Sequence, residues 1–267
     1  MAPTGRAGEF ALMSERELLY GRNAVRETLR AGRRQAHRLH LMRDAKASPA
    51  ISEILELAAD RNVPVEWADR RALDGMAGGA RHQGVVLEAA SYPYVSLPDL
   101  IEGLGRGPAG PLVLALDYVQ DPQNLGTLIR TAEALALDGI VIPERRAAGV
   151  TPAVVNSSSG ACEHLAIARA TNLPRALREL QAAGLWLAGL EQVEGARRHV
   201  DADLTGPLGL VIGSEGSGMS RLAREACDYF IQLPMFGRVN SLNAAVAGSV
   251  ALYEIWRQRA AQAGRAG

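Results

Sequence analysis

Lysine is almost missing from this chain. Lys46 is the single one, so the 29 basic residues are nearly all arginine, and 29 acidic residues cancel them. That balance excludes a protein that binds nucleic acid through bulk positive charge; any basic face has to be local. Arginine's planar fork suits bidentate phosphate contacts, although a GC-rich coding bias would leave the same mark. Cysteine is scarce too, with only Cys162 and Cys227. They lie far apart without CxxC spacing, which excludes a disulfide framework and a zinc site and marks both as small buried hydrophobes in a reducing compartment. No apolar run reaches the roughly eighteen residues of a spanning helix. The first residues lack the apolar core of a signal peptide, so 1–14 read as a tail and the protein as cytoplasmic.

What remains is an ordinary globular composition. With 267 residues, 48% of them hydrophobic, the chain can bury one large core or two small ones. From 15 to 91 helical and strand patterns alternate in a small α/β unit, and arginines including Arg22, Arg26, Arg30, Arg33, Arg34 and Arg38 cluster in it. They are either solvated helix faces or a phosphate-contacting surface. A stretch rich in proline and glycine, 92–110, reads as a linker. From 111 to 261 strands and helices alternate again, and the strands are continuously apolar, as in a parallel sheet covered on both faces. An Ala/Gly/Arg tail, 262–267, follows.

Three stretches of the second unit could carry chemistry. The apolar run Leu112 to Leu116 leads into Asp121-Pro122-Gln123-Asn124-Leu125-Gly126 and a helix expected near Thr127 to Leu137. Taken alone, Asn124 is a cap for that helix and Arg130 a partner for Glu133, while Gly126 permits a close approach. The run Leu208 to Ile212 breaks into Gly213-Ser214-Glu215-Gly216-Ser217-Gly218, whose order matches neither a P-loop nor GxGxxG. A triphosphate or nicotinamide site is therefore not indicated. The run Tyr229 to Leu233 breaks into Pro234 and leads to Ser241-Leu242-Asn243. There Leu242, Val246, Val250, Tyr253 and Trp256 recur at helical spacing. Ser241 lacks the GxSxG elbow of an acyl nucleophile, and His164 and His199 have no catalytic companions.

Together these stretches resemble the SpoU or TrmH-like branch of the SPOUT methyltransferases. Asn124-Leu125-Gly126 with Arg130-Thr131-Ala132 is similar to the first family motif, Ile212 through Gly216 to the second, and Leu233-Pro234-Met235 through Asn243 and Ala247 to the third. Leu19 through Val25 and the His82-Gln83-Gly84-Val85 turn resemble members with an added domain related to kink-turn-binding ribosomal proteins. The resemblance implies an α/β fold whose C-terminal domain carries a deep trefoil knot, and a homodimer formed through that domain. It implies S-adenosylmethionine as cofactor, held by Gly189, Leu190, Ile212, Gly213, Glu215, Gly216, Leu233, Leu242, Asn243 and Ala247, with no metal. The catalytic cluster it implies is Asn124, Arg130, Glu215, Ser241 and Asn243, and Arg22, Arg33, Arg34 and Arg130 would contact RNA. The expected reaction is methylation of a guanosine 2'-oxygen in large-subunit ribosomal RNA; the alternatives are transfer RNA, a resistance-type ribosomal methylase, or an RNA-binding protein without catalysis.

Overall fold

The computed structural model describes residues 16–43, 48–106, 110–238 and 241–264. The expected tail 1–14 lies outside them; of the expected tail 262–267, the last helix takes in 262 and 263, and 265–267 lie outside. The chain divides into two units, with the boundary between Pro93 and Tyr94.

The first unit runs β1 (Arg16–Tyr20), α1 (Arg22–Ala31), β2 (Ala36–Met42), α2 (Pro49–Asp60), β3 (Val65–Ala68), α3 (Arg70–Met76) and β4 (Val85–Ala90). Its sheet has the order β1-β4-β2-β3; β4 runs antiparallel to β1 and β2, and β3 parallel to β2. The strand β1 escapes a sequence reading because Arg16-Glu17-Leu18-Leu19-Tyr20 is half polar and has one edge covered by β4. Ser48 and Asp69 cap α2 and α3 by accepting from Ile51 N and Ala72 N, the preferred use of short polar side chains at helix starts.

Three of the four arginines expected to contact RNA, Arg22, Arg33 and Arg34, are engaged inside this unit. Arg22 donates to Gln83 O at 3.1 Å and to Ser48 Oγ at 3.3 Å. Arg33 donates to Tyr92 Oη and to Pro93 O, both at 3.2 Å. Arg34 departs from expectation. Its side chain is 0% exposed and holds Glu17 at 2.6 Å, and its guanidinium lies 4.9 Å from the centre of the Tyr92 ring. A long cation is buried there because Glu17 on β1 and the Ala90 carbonyl on β4 both accept from it. Arg34→Ala would leave Glu17 without that pair and Tyr92 over a hole. Breaking a buried pair costs about 3–5 kcal/mol, and the partial exposure of Glu17 brings the expected loss nearer ~2 kcal/mol. Thermal unfolding of the full chain checks this: a clearly lowered Tm is expected, and an unchanged one would contradict the burial.

The second unit contains α4 (Leu97–Glu102), β5 (Leu112–Leu116), α5 (Pro122–Ala134), β6 (Gly139–Pro143), α6 (Pro152–Ser157), β7 (Ile167–Ala170), α7 (Leu173–Ala182), β8 (Trp186–Leu190), β9 (Arg197–Arg198), β10 (Leu208–Ile212), α8 (Arg221–Ala226), β11 (Tyr229–Gln232) and α9 (Ala244–Ala263). Among the described residues its sheet has the order β7-β6-β5-β10-β8-β11-β9, and every pairing is parallel. Strands β5, β6 and β10 are buried along their whole length, as continuous apolar runs require between two helical layers.

Part of the stretch expected as a linker belongs to this unit. Val95 pairs in parallel with Ala168, and Ser96 and Asp99 close a capping box at the start of α4. The neighbouring strands β5, β10, β8 and β11 all release their carboxyl ends on one edge of the sheet. In open parallel sheets that edge is where loops are free to form a ligand site.

Candidate active site

Helix α5 begins earlier than its apolar pattern suggests. Asp121 is the cap, accepting from Gln123 N at 2.9 Å, with Pro122 at the first helical position. This corrects the reading of Asn124 as a cap. Asn124 sits in the first turn, buried, with its amide free to point out of the helix end. Gly126, one turn in, is where α6 crosses. A methyl group there would run into the Ser157 side chain and come within 2.9 Å of Ser158 N, so the close approach that this glycine permits is helix against helix.

After β10 the chain doubles back. Ser214 N donates to Gly218 O at 3.0 Å and Gly218 N to Ser214 O at 3.1 Å. The loop folds so tightly that a Cβ on Gly213 would overlap the Gly218 carbonyl carbon and the Met219 amide. Glu191, at the end of β8, pins the loop from outside: it accepts from Met219 N at 3.2 Å and from Arg224 Nε and Nη2 at 2.6 and 2.7 Å. Sequence reasoning misses this carboxylate, because a charged residue after an apolar strand reads as solvated. It misses Asp117 as well. Buried at the end of β5, Asp117 accepts from Ser220 N at 2.5 Å.

Asn243 caps α9, its Oδ1 accepting from Ala245 N at 3.0 Å and Val246 N at 3.1 Å. Its Nδ2 donates to Asn124 Oδ1 at 2.9 Å and also to Glu215 Oε1. Glu215 in turn accepts from Ala244 N at 3.3 Å. One amide thus fastens three segments together: the start of α5, the loop after β10 and the start of α9.

Two cavities meet at this bridge, sharing Ser214, Glu215 and Ala244. The larger, about 690 Å³, is lined by Leu190, Ile212, Gly213, Gly216, Leu233, Ser241, Leu242, Asn243 and Ala247, together with Glu191, Gln192 and Gln232. The smaller, about 560 Å³, is lined by Asn124, Tyr118, Gln120 and Arg146 among others. Of the residues expected to hold a cofactor, Gly189 does not line the cavity. It is buried in β8, where a Cβ would press on the Phe230 ring at 2.7 Å and Met219 Cε at 2.8 Å; its small size serves packing. Arg130 stands apart as well: it is exposed, donates to Ser159 Oγ at 3.3 Å and lines neither cavity. Among the described residues no group of His, Cys, Asp or Glu is arranged to hold a metal ion, and no helix is long and apolar enough to cross a membrane.

Residues 111–253 match the SpoU rRNA Methylase family, and 18–95 match the family of RNA 2'-O ribose methyltransferase substrate-binding domains. The chain belongs to the SpoU family of RNA methyltransferases. A relative from Bacillus subtilis, YacO, described as a TrmH family tRNA/rRNA methyltransferase, is 42% identical over 251 residues, spanning 93% of this chain and 98% of its own. A Mycolicibacterium smegmatis tRNA/rRNA methyltransferase is 42% identical over 254 residues, with 95% and 80% covered. Among solved structures, the SpoU methyltransferase AviRb of Streptomyces viridochromogenes in complex with AdoMet has a TM-score of 0.76 at 27% identity, covering 92% of this chain and 91% of its own.

SpoU enzymes use S-adenosylmethionine, and the larger cavity fits it. Leu190, Ile212, Leu233 and Leu242 offer apolar surface for a flat heterocycle, while Gln192 and Gln232 offer polar ends for its edges and hydroxyls. The volume lies within the usual range for small-molecule sites. The thiol of Cys227 lines neither cavity, and burial pushes its pKa up to about 12.

Proposed function

We propose that this SpoU-family enzyme methylates the ribose 2'-oxygen of a guanosine in large-subunit ribosomal RNA and works as a homodimer through its second unit. The observation that carries the reading is the Asn243 bridge, with one cavity for the cofactor and one for a nucleotide on either side of the same side chains. S-adenosylmethionine supplies an electrophilic methyl group at a sulfonium. The residues here supply position, which accounts for much of the rate in such transfers. Asn124 and Asn243 orient the ribose against the cofactor cavity, Ser241 lines the methyl-donor side, and Glu215 fixes Asn243. Arg130, which lines neither cavity, clamps RNA phosphate beside the site; a guanidinium only donates hydrogen bonds, so it holds the strand and does not remove a proton. The N-terminal match to substrate-binding domains supports RNA as the partner of the first unit, where Arg22 and Arg33 keep part of their surface open.

The dimer is supported by α9. Leu242, Val246, Val250, Tyr253 and Trp256 are 44, 48, 42, 53 and 48% exposed, while Ala245, Gly248, Ala251, Leu252 and Ile255 face the core. A second copy is the occupant that suits this stripe, because it continues from Leu242 at the cofactor cavity and passes Ser249, whose hydroxyl meets Thr131 beside Arg130 at 2.8 Å. The knotted path implied by the family resemblance belongs to the same reading; β8 lies between β10 and β11, the two strands that follow it and β9 in sequence.

A labelled-methyl assay with total ribosomal and transfer RNA tests the substrate. Incorporation into large-subunit RNA is expected. Label in transfer RNA alone would move the substrate, and none in either would leave an RNA-binding protein.

A further inference from the structure

Tyr118 and Arg146 both hold left-handed backbone, with φ of 59° and 60°. For side chains of this size the conformation is costly, and such outliers persist where the surroundings fix them. Two strand-end loops do so here: Gln120 Nε2 donates to Arg146 O at 3.3 Å, and Ala148 N donates to Val119 O at 2.9 Å. The result presents both side chains outward. Tyr118 is 38% exposed. Arg145 and Arg146 are exposed, and neither side chain has a hydrogen-bond or ion-pair partner among the described residues.

The position of this pair is specific. Tyr118 and Arg146 line the nucleotide cavity together with Asn124 and Glu215, and both also line a neighbouring cavity of about 560 Å³ that Arg145 and Arg221 enter. They form the divide between the catalytic cleft and a basic cleft beside it. An open aromatic ring next to unpaired guanidiniums matches the two needs of a single-stranded nucleotide, a face for the base and a fork for the phosphate. An acidic peptide would use the guanidiniums but leave the ring without a stacking partner.

We propose that Tyr118 stacks on the base of a nucleotide flanking the methyl acceptor while Arg145 and Arg146 hold its phosphate, an inference that rests on RNA methyl transfer in the adjoining cleft. The strained backbone keeps the ring in place before RNA arrives. Stacking of this kind tolerates sequence, so the seat would fix the strand's path and leave the choice of target to other contacts.

The test uses the full chain and a fluorescent, mixed-sequence single-stranded RNA of about a dozen nucleotides. Y118G keeps the left-handed backbone without strain and removes the ring; Y118F keeps the ring. Y118G is expected to weaken RNA binding about five- to a hundredfold, with Y118F binding as the unaltered protein does. R145A/R146G should flatten the logarithmic salt dependence by about 0.7 for each phosphate that is no longer neutralised. S-adenosylmethionine affinity, read by calorimetry, should stay unchanged in all three. RNA binding unaltered in Y118G, an unaltered salt slope in R145A/R146G, or a parallel loss of cofactor affinity would overturn the seat. Methyl transfer by the unaltered protein is read separately: its absence, with ring-dependent RNA binding intact, would refute the reaction and leave the seat standing.

Discussion

Asn243→Asp is expected to abolish methyl transfer while leaving α9 in place. A carboxylate at this position can still accept from Ala245 N and Val246 N, so the helix cap survives. The donor that now serves both Asn124 Oδ1 and Glu215 is lost, and a second negative charge faces Glu215 in its place. Like charges held this close cost several kcal/mol, so the bridge should open and kcat/KM fall by about a hundredfold or more. The sign of the pH dependence separates this from simple damage. Two facing carboxylates raise the pKa of one of them, and a group with a raised folded pKa loses stability as pH rises through it. The deficit of the variant's Tm against the unaltered protein should therefore shrink as pH falls, because the introduced carboxyl, once protonated, donates to Glu215 again. Asn243→Ala, which removes cap and bridge together, should show a deficit that does not shrink. Full activity in Asn243→Asp would remove the bridge from the mechanism.

The second large effect concerns assembly. Val250→Glu with Tyr253→Glu is expected to turn a dimer into a monomer, because both side chains lie on the exposed apolar face of α9 and a dimer would bury their charges. Central contacts of this kind are worth about 2 kcal/mol or more each, so losing two should lower dimer affinity by about a thousandfold. Sedimentation of both proteins at micromolar concentration decides it. A monomer before substitution would leave the stripe without its proposed occupant. A dimer that survives both charges would place the interface elsewhere. The core side of α9 carries Ala251, Leu252 and Ile255, so neither substitution disturbs packing within the chain, and any fall in Tm should be no larger than the loss of the dimer's mass-action contribution.

The alternation of strands and helices is legible in the sequence because buried parallel strands are continuous apolar runs; Leu112–Leu116 and Leu208–Ile212 appear within the expected limits. Local polar chemistry is harder to place. The first apolar repeat puts the start of α5 too late, whereas Asp121-Pro122 is the stronger signal, since proline suits the first helical position. That shift matters for the site: with Asp121 as the cap, the Asn124 amide is released for Asn243, 119 residues away. No periodicity reports a contact over that distance, and the grouping of Asn124, Glu215 and Asn243 is visible only through resemblance to relatives. The spacing of Val246, Val250 and Tyr253 announces a helix without saying which side of it is covered. Ala245, Gly248 and Leu252 make the flatter face that fits against α5 and β10, as Gly248 shows: a Cβ there would overlap Ile212 Cδ1 and come within 2.6 Å of Leu128 Cδ2. Arg34 illustrates the opposite error, a charge that pattern reading leaves in water and Glu17 draws inside.

The most direct measurement is the chemical identity of the transferred label. Large-subunit ribosomal RNA methylated by the purified chain with labelled S-adenosylmethionine is digested to nucleosides and separated by mass. Label in 2'-O-methylguanosine is expected, with none in the Asn243→Asp variant; label on a base, or incorporation unaffected by that substitution, would contradict ribose methylation at the Asn124–Asn243–Glu215 bridge.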